Sequence, residues 1–181
     1  MPKGIRPTQN KVRKAIFDIL GDMEGLRFLE LFAGSGAVGI EALSRGAKEA
    51  VFVESDSVCV RTLKDNLSSL GVINYELRAQ NAERAIEMLT KAHSRFDIIF
   101  MDPPYYKDST LRHLSGSKAA SVESLSKKAL QMLISCDILA PDGLIAVQHF
   151  KKDNLPYSAG DLVLLKQAVY GDTVLSFYSR G

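Results

Sequence analysis

Asp102-Pro103-Pro104-Tyr105 follows directly on Phe96-Asp97-Ile98-Ile99-Phe100-Met101, an apolar run that reads as a buried strand. Such a strand delivers the four residues to the carboxyl edge of a sheet. Neither proline carries an N–H and both fix φ, so the carbonyls around them face outward without a competing donor. The outcome is a stiff cradle of acceptors, with Asp102 Oδ and the Pro103 carbonyl as its natural pair. An exocyclic amine on a nucleobase has a lone pair delocalised into the ring. Acceptors that grip its two hydrogens localise that pair and aim it at a methyl group. In-line displacement at such a methyl gains much of its rate from positioning, so no strong general base is required. Tyr105 offers a ring on which a base stacks, worth about 1–3 kcal/mol. In isolation the same residues also describe a rigid turn, with Asp102 as a helix cap and Tyr105 as packing.

A second cluster, Glu30-Leu31-Phe32-Ala33-Gly34-Ser35-Gly36-Ala37-Val38-Gly39, ends one strand and opens a helix, the position of the ligand crevice in a parallel sheet. Gly34, Gly36 and Gly39 match G-x-G-x-x-G, and Glu54 ends the next strand, where a carboxylate accepts hydrogen bonds from ribose hydroxyls. This pattern alone also fits a nicotinamide-dependent oxidoreductase, or a strand-to-helix turn with no ligand. Two features favour S-adenosylmethionine. Glu30 puts a carboxylate near the pocket floor, which suits an ammonium and a sulfonium and not a pyrophosphate. Asp102-Pro103-Pro104-Tyr105, in turn, has no role in hydride transfer.

These segments need a scaffold, and the hydrophobic period supplies one. Short apolar runs alternate with helix-period stretches, the signature of an α/β fold with helices on both faces of a parallel sheet. Strands are expected at Arg27–Phe32, Ala50–Glu54, Tyr75–Ala79, Phe96–Met101 and Gly143–His149, with helices starting near Gly36, Asp56, Ala82 and Val122. After Pro156 two β-rich runs, Asp161–Val169 and Thr173–Arg180, flank Tyr170-Gly171-Asp172 and read as an antiparallel hairpin, which makes a mostly parallel seven-stranded sheet. Ahead of the first strand, Thr8 is expected to cap a helix through Leu20 with Val12, Ile16, Ile19 and Leu20 on one face, stopped by Gly21. Ser115–Ser126, rich in Ser, Ala and Gly, reads as a loop running into a helix.

The 181 residues suit one domain over 1–181, with 1–22 as an N-terminal basic segment and helix. At 46% apolar and 24% charged, the chain has ordinary globular composition, which excludes disorder and a disulfide scaffold. No apolar run reaches the roughly 18 residues of a membrane helix, and Met1–Pro7 is too polar for a signal peptide, so no membrane association and a cytoplasmic location are expected. Cys59 and Cys136 lack ligands at metal spacing and read as small buried hydrophobes; no metal is expected. His93 and His149 read as structural or exposed, and His113 follows the proposed base site without being a general base.

Together the two motifs resemble the class I S-adenosylmethionine-dependent methyltransferases with an (Asp/Asn)-Pro-Pro-(Tyr/Phe) motif, and more closely the RsmD family, which methylates the exocyclic N2 of a guanine in bacterial 16S ribosomal RNA. The resemblance runs from Arg6 to the C-terminus. It is carried by Arg6-Pro7-Thr8 with Val12-Arg13, by Leu31-Phe32-Ala33-Gly34-Ser35-Gly36, by Glu41-Ala42-Leu43-Ser44-Arg45-Gly46-Ala47, and by Asp102-Pro103-Pro104-Tyr105. It implies a Rossmann-like fold in which Glu30 and the loop Phe32–Gly36 contact the methionine portion of the cofactor. Glu54 with Ser55 would take the ribose, Asn81-Ala82 the adenine, and Asp102 would border both cofactor and target base. It also implies S-adenosylhomocysteine as product, and ribosomal RNA or a small-subunit assembly particle as partner. The chain is expected to be a monomer.

Glu30 and Asn81 stand where the resemblance implies Asp, Lys14 and Gln148 where it implies Glu, and only five residues precede Arg6 where it implies a basic β-hairpin, so part of the RNA grip is expected to be missing. The stretch Tyr106–Leu125 is longer than the resemblance implies. Lys3, Arg6, Lys11, Arg13 and Lys14 make Met1–Phe17 wholly positive in its charged residues, and Arg6, Lys11, Arg13 and Lys14 are the expected phosphate contacts, a solvated helix face being the alternative. Lys107, Arg112 and His113 line an RNA path or keep a loop soluble. Other functions compatible with the motifs are a DNA adenine-N6 or cytosine-N4 methyltransferase and a non-catalytic RNA-binding factor.

Overall fold

The computed structural model describes residues 7–104 and 124–181, with side chains of the first helix from Asn10 onward. Its helices are α1 (Pro7–Leu20), α2 (Ala37–Ser44), α3 (Ser57–Ser69), α4 (Ala82–Lys91) and α5 (Leu125–Ser135). Its strands are β1 (Arg27–Leu31), β2 (Glu49–Glu54), β3 (Tyr75–Ala79), β4 (Phe96–Met101), β5 (Leu139–Phe150), β6 (Ser158–Ala159), β7 (Leu162–Tyr170) and β8 (Thr173–Arg180). They form one sheet in the order β3-β2-β1-β4-β5-β8-β7-β6, parallel from β3 to β5 and antiparallel beyond.

The order turns at β1. The chain builds outward from β1 through β2 to β3, then returns to place β4 on the other side of β1. The adjacent β1 and β4 therefore send their following loops apart and open a crevice at their carboxyl ends. Residues alternate between faces along each strand, and each face has its own core. On one face, Leu29, Leu31, Ile99, Met101, Ile145 and Val147 pack beneath apolar positions of α4 and α5. On the other, Phe28, Phe52, Phe100, Ala146, Leu175 and Phe177 pack beneath Val12, Ile16, Phe17 and Leu20 of α1 and Leu63 and Leu67 of α3.

Several sequence expectations need correction. Among the described residues the sheet has eight strands, because the two-residue β6, too short to leave a period, pairs with β7. Strand β5 starts at Leu139, ahead of Gly143. Its first residues bulge, so that Phe96 faces Leu139 and Ile98 faces Leu144, and Pro141 and Gly143 lie in the irregular stretch. The first helix already includes Thr8 and has Pro7 at its start, where a missing N–H costs nothing, so Thr8 is not its cap. Phe17 joins its buried face, whereas Ile19 is only partly buried. Cys59 and Cys136 are both half-exposed and so are not core hydrophobes.

Gly21 does stop α1, with φ of 79° and its N–H on Phe17 O at 3.0 Å. Asp56 and Asn81 cap α3 and α4, and Ser124 caps α5; the expected start at Val122, and residues 115–123 of the expected loop, lie outside the described residues. The hairpin turns through Gly171-Asp172 between the paired Tyr170 and Thr173. His149 is buried, with Nε2 2.8 Å from Ser176 Oγ, and burial holds its pKa below the ordinary imidazole value; His93 is exposed at the end of α4. Among the described residues no helix is long and apolar enough to cross a membrane.

Candidate active site

Alternation along the strands assembles the site. Phe28 and Phe100 belong to the face covered by α1, so Glu30 and Asp102, each two residues further on, follow onto that face at the carboxyl edge. Glu30 is paired in register with Phe100 across β1 and β4. Met101 pairs with Val147, which brings Gln148 level with Asp102. A cavity of about 360 Å³ opens there. Glu30, Phe32, Ala33, Gly34, Ser35 and Asp102 line it, with Gln148 on β5, Thr173 on β8, and Asn10, Val12, Arg13 and Ile16 from α1 as a wall.

The loop between β1 and α2 carries three left-handed residues, Phe32 (φ 59°), Gly34 (φ 54°) and Gly36 (φ 74°). Each glycine answers a different demand. A Cβ on Gly34 would meet nothing within 4 Å, so its role is the left-handed turn beside open space. Gly36 caps α2 without a side chain, and a Cβ there would lie 2.2 Å from Leu63 Cδ1. Gly39, in the first turn of α2, has ordinary φ but no room: a Cβ would lie 2.5 Å from Phe52 Cε1 and 2.8 Å from Glu30 Oε2. Gly39→Ala is therefore expected to destabilise the protein by about 1–3 kcal/mol through overpacking. Urea unfolding checks this, and an unchanged midpoint would show that the turn has slack.

Burial determines the charge of this site. Glu30 is buried, and Oε2 accepts the Gly39 N–H at 2.8 Å. Desolvation pushes its pKa up to about 8, against the pull of the Gly39 and Val38 amides, and repulsion from Asp102 and Glu54 adds to the rise. Asp102 is raised to about 7 by burial, opposed by the hydrogen bond that Gln148 Nε2 donates to its Oδ2 at 2.8 Å. The cavity thus holds two carboxyl groups that a bound cation would ionise.

Glu54 lies beside the glycine loop. Its Oε2 accepts the Gly34 N–H at 2.8 Å and its Oε1 accepts Ser55 N–H at 2.7 Å and Asp56 N–H at 2.8 Å. Backbone donors thereby fill three of a carboxylate's roughly four acceptor positions, leaving less capacity for two ribose hydroxyls than the sequence suggested. Ser55 is exposed at the same corner. Asn81 is exposed, and its Oδ1 accepts the Arg84 N–H at 2.8 Å as cap of α4, with Ala82 buried behind it; neither lines the cavity. Pro103 is buried and Pro104 exposed, while Tyr105 and Arg6 lie outside the described residues, as do Lys3, Lys107, Arg112 and His113. Lys11 and Lys14 are exposed on α1. Arg13 reaches Glu41 at 2.9 Å and Asn10 at 3.3 Å, so its charge is partly engaged within the protein.

Sequence reasoning noted Gln148 only as a departure from the family pattern, without a site role, and missed Thr173 and the wall formed by α1. The signal for Gln148 was present, a polar residue between Val147 and His149 at the end of an apolar strand, but its partner depended on which strand lies beside β4.

Residues 1–179 match the model of a family described as "Conserved hypothetical protein 95". The chain is 36% identical over 177 residues to "Putative rRNA methyltransferase YlbH" of Bacillus subtilis, covering 97% of this chain and 88% of that protein. It is 29% identical over 178 residues to "Ribosomal RNA small subunit methyltransferase D" of Escherichia coli, covering 98% and 80% respectively. Among solved structures it is similar to "Putative methyltransferase yhhF from Escherichia coli", with a TM-score of 0.79 and 29% identity, covering 99% of this chain and 89% of that one.

Proposed function

The chain belongs to the RsmD-type methyltransferase family, and from that premise we propose that it methylates the exocyclic N2 amine of a guanine in small-subunit 16S ribosomal RNA, with S-adenosylmethionine as donor. The observation that carries this reading is the meeting of Glu30 and Asp102, from neighbouring parallel strands, at one cavity bordered by a left-handed glycine loop. A buried carboxyl on the floor and open space at Gly34 fit a cationic nucleoside; a pyrophosphate would meet two acids there.

When bound, S-adenosylmethionine supplies a methyl group on a sulfonium. Glu30, ionised by that positive charge, holds the methionine end, and the Phe32–Gly36 loop lies along it. Glu54 keeps one acceptor position for the ribose, and Asn81-Ala82 border the adenine side. Asp102, anchored through Oδ2, offers Oδ1 to the target amine, and the Pro103 carbonyl accepts its second hydrogen. Pro103 and Pro104 stiffen the backbone that carries the Pro103 carbonyl. The methylated amine sheds its proton after attack, toward Asp102 or solvent. Tyr105 stacks on the flipped base. Exposed Lys11 and Lys14 meet phosphates, as does Arg6, and Arg13 joins them to the extent that Glu41 releases it.

Incubation with labelled S-adenosylmethionine and under-methylated small ribosomal subunits, or their RNA, tests this. Nucleoside analysis is expected to return N2-methylguanosine. Label in N6-methyladenosine or N4-methylcytidine, or none on either substrate, would overturn the assignment.

A further inference from the structure

The mechanism names no role for Asn10, Gln148 or Thr173 at the cavity, and of these Gln148 is the one hydrogen-bonded to Asp102. Gln148 sits at the carboxyl end of β5, level with Asp102. Its neighbours Val147 and His149 are buried in the opposite layer, while Gln148 shares its face with Ala146 beneath α1. Its Nε2 donates to Asp102 Oδ2 at 2.8 Å. Among the described residues Oδ1 of Asp102 has no hydrogen-bond partner, so the two oxygens are inequivalent before any substrate arrives.

We propose that Gln148 is a positioning residue: its amide locks Asp102 Oδ2 and so leaves Oδ1 as the single oxygen presented to the target amine. This rests on the reading of Asp102 as the acceptor for that amine. A carboxylate free to rotate would share its acceptance between two orientations, and only one of them aims the amine lone pair. The identity of the side chain matters as much as its presence. Gln148 stands where the family resemblance implies Glu. A carboxylate at that distance donates only while a proton is shared between the two acids, and once both are ionised they repel. An amide donates at every pH. Asp102, raised by burial and drawn back by this bond, then works as an acceptor from about pH 7 upward, with no alkaline limit set by its partner. The other charged groups lining the cavity are Glu30 from β1 and Arg13 from α1, with Glu54 next to Glu30; all remain in the variants below.

The experiment compares kcat and KM for RNA across pH in the wild type, Gln148→Leu, Gln148→Glu and Asp102→Ala. Gln148→Leu is expected to lower kcat about 10- to 100-fold, the worth of a hydrogen bond to a charged group, with KM for RNA little changed. Gln148→Glu keeps the size and shape, and is expected to be active only where one proton is shared between the two acids, losing activity as pH rises and both ionise, an alkaline limb that the wild type lacks. That second variant decides the matter if the leucine protein fails to fold. A Gln148→Glu profile superimposable on the wild type would overturn the proposal, as would a folded Gln148→Leu protein with wild-type kcat. If Asp102→Ala is inactive in that case, only the role of Gln148 is lost. If Asp102→Ala is fully active, the function proposed above fails with it.

Discussion

Replacing Asp102 by alanine is expected to cut methyl transfer by about 10²–10³-fold, the scale on which one preorganised polar contact to a reacting group is felt. The affinity for S-adenosylhomocysteine should change far less, because Glu30 and the glycine loop remain. Asp102→Asn is the informative partner. Its amide keeps one acceptor oxygen, and Gln148 can turn its own oxygen toward the new NH2, so the loss should be nearer tenfold. The pH dependence follows from the burial that raises Asp102 to about 7. Only the ionised form accepts both from Gln148 and from the amine, so wild-type activity falls as pH drops through 7, and the Asn variant loses that acid limb. Single-turnover rates between pH 5.5 and 8.5 measure this. An alanine variant as fast as the wild type would remove Asp102 from the reaction.

Glu30→Gln should make the ligand-free protein more stable and the donor site weaker. The folded carboxyl has its pKa pushed up to about 8 from an ordinary 4.5. Above pH 4.5 the unfolded chain releases its proton while the native state retains it, so the wild type loses stability progressively from pH 4.5 to 8 and levels off beyond. Glutamine accepts the same Gly39 N–H without ionising. Its advantage is expected to be absent at pH 4 and to reach a few kcal/mol at pH 8. Binding runs the other way. A cation must drive the proton off Glu30, so donor affinity in the wild type rises up to tenfold per pH unit toward pH 8. The glutamine variant should bind at least tenfold more weakly and lose the part of the pH slope that belongs to Glu30. Urea unfolding and calorimetric titration with S-adenosylmethionine at several pH values test both halves. A glutamine variant less stable than the wild type at pH 8 would mean that Glu30 is not held neutral by burial.

What the sequence disclosed is what local periodicity controls. Phe96–Met101 and Tyr75–Ala79 were placed to the residue, the first as a mostly apolar run and the second as a strict apolar–polar alternation, each a local pattern. Glu30 and Asp102 could be placed at strand ends without knowing that β1 and β4 are neighbours. Strand order, by contrast, is a property of packing between distant segments, and so was the Gln148 to Asp102 bond it creates. The start of β5 was hidden by Pro141 and Gly143, which break a ladder locally and are absorbed by a bulge. Asn81 carries a duty that the sequence reading did not name, the cap of α4. Glu54, expected at the ribose, likewise has a structural duty that the sequence did not disclose: its carboxylate accepts amides of the glycine loop and of Ser55.

The antiparallel course of β8 also governs how this protein can be handled. The strand enters at Thr173 on the cavity rim and runs the full depth of the sheet, so that the chain ends at Gly181 with its N–H on Asp161 O, beside Arg180 and its partner Asp137 at the far edge. The other end is different, because α1, the first described element, walls the cavity itself. A tether or label joined to Gly181 therefore projects away from the opening and leaves it facing bulk solution, whereas a label on the cavity side of α1 stands in the opening itself.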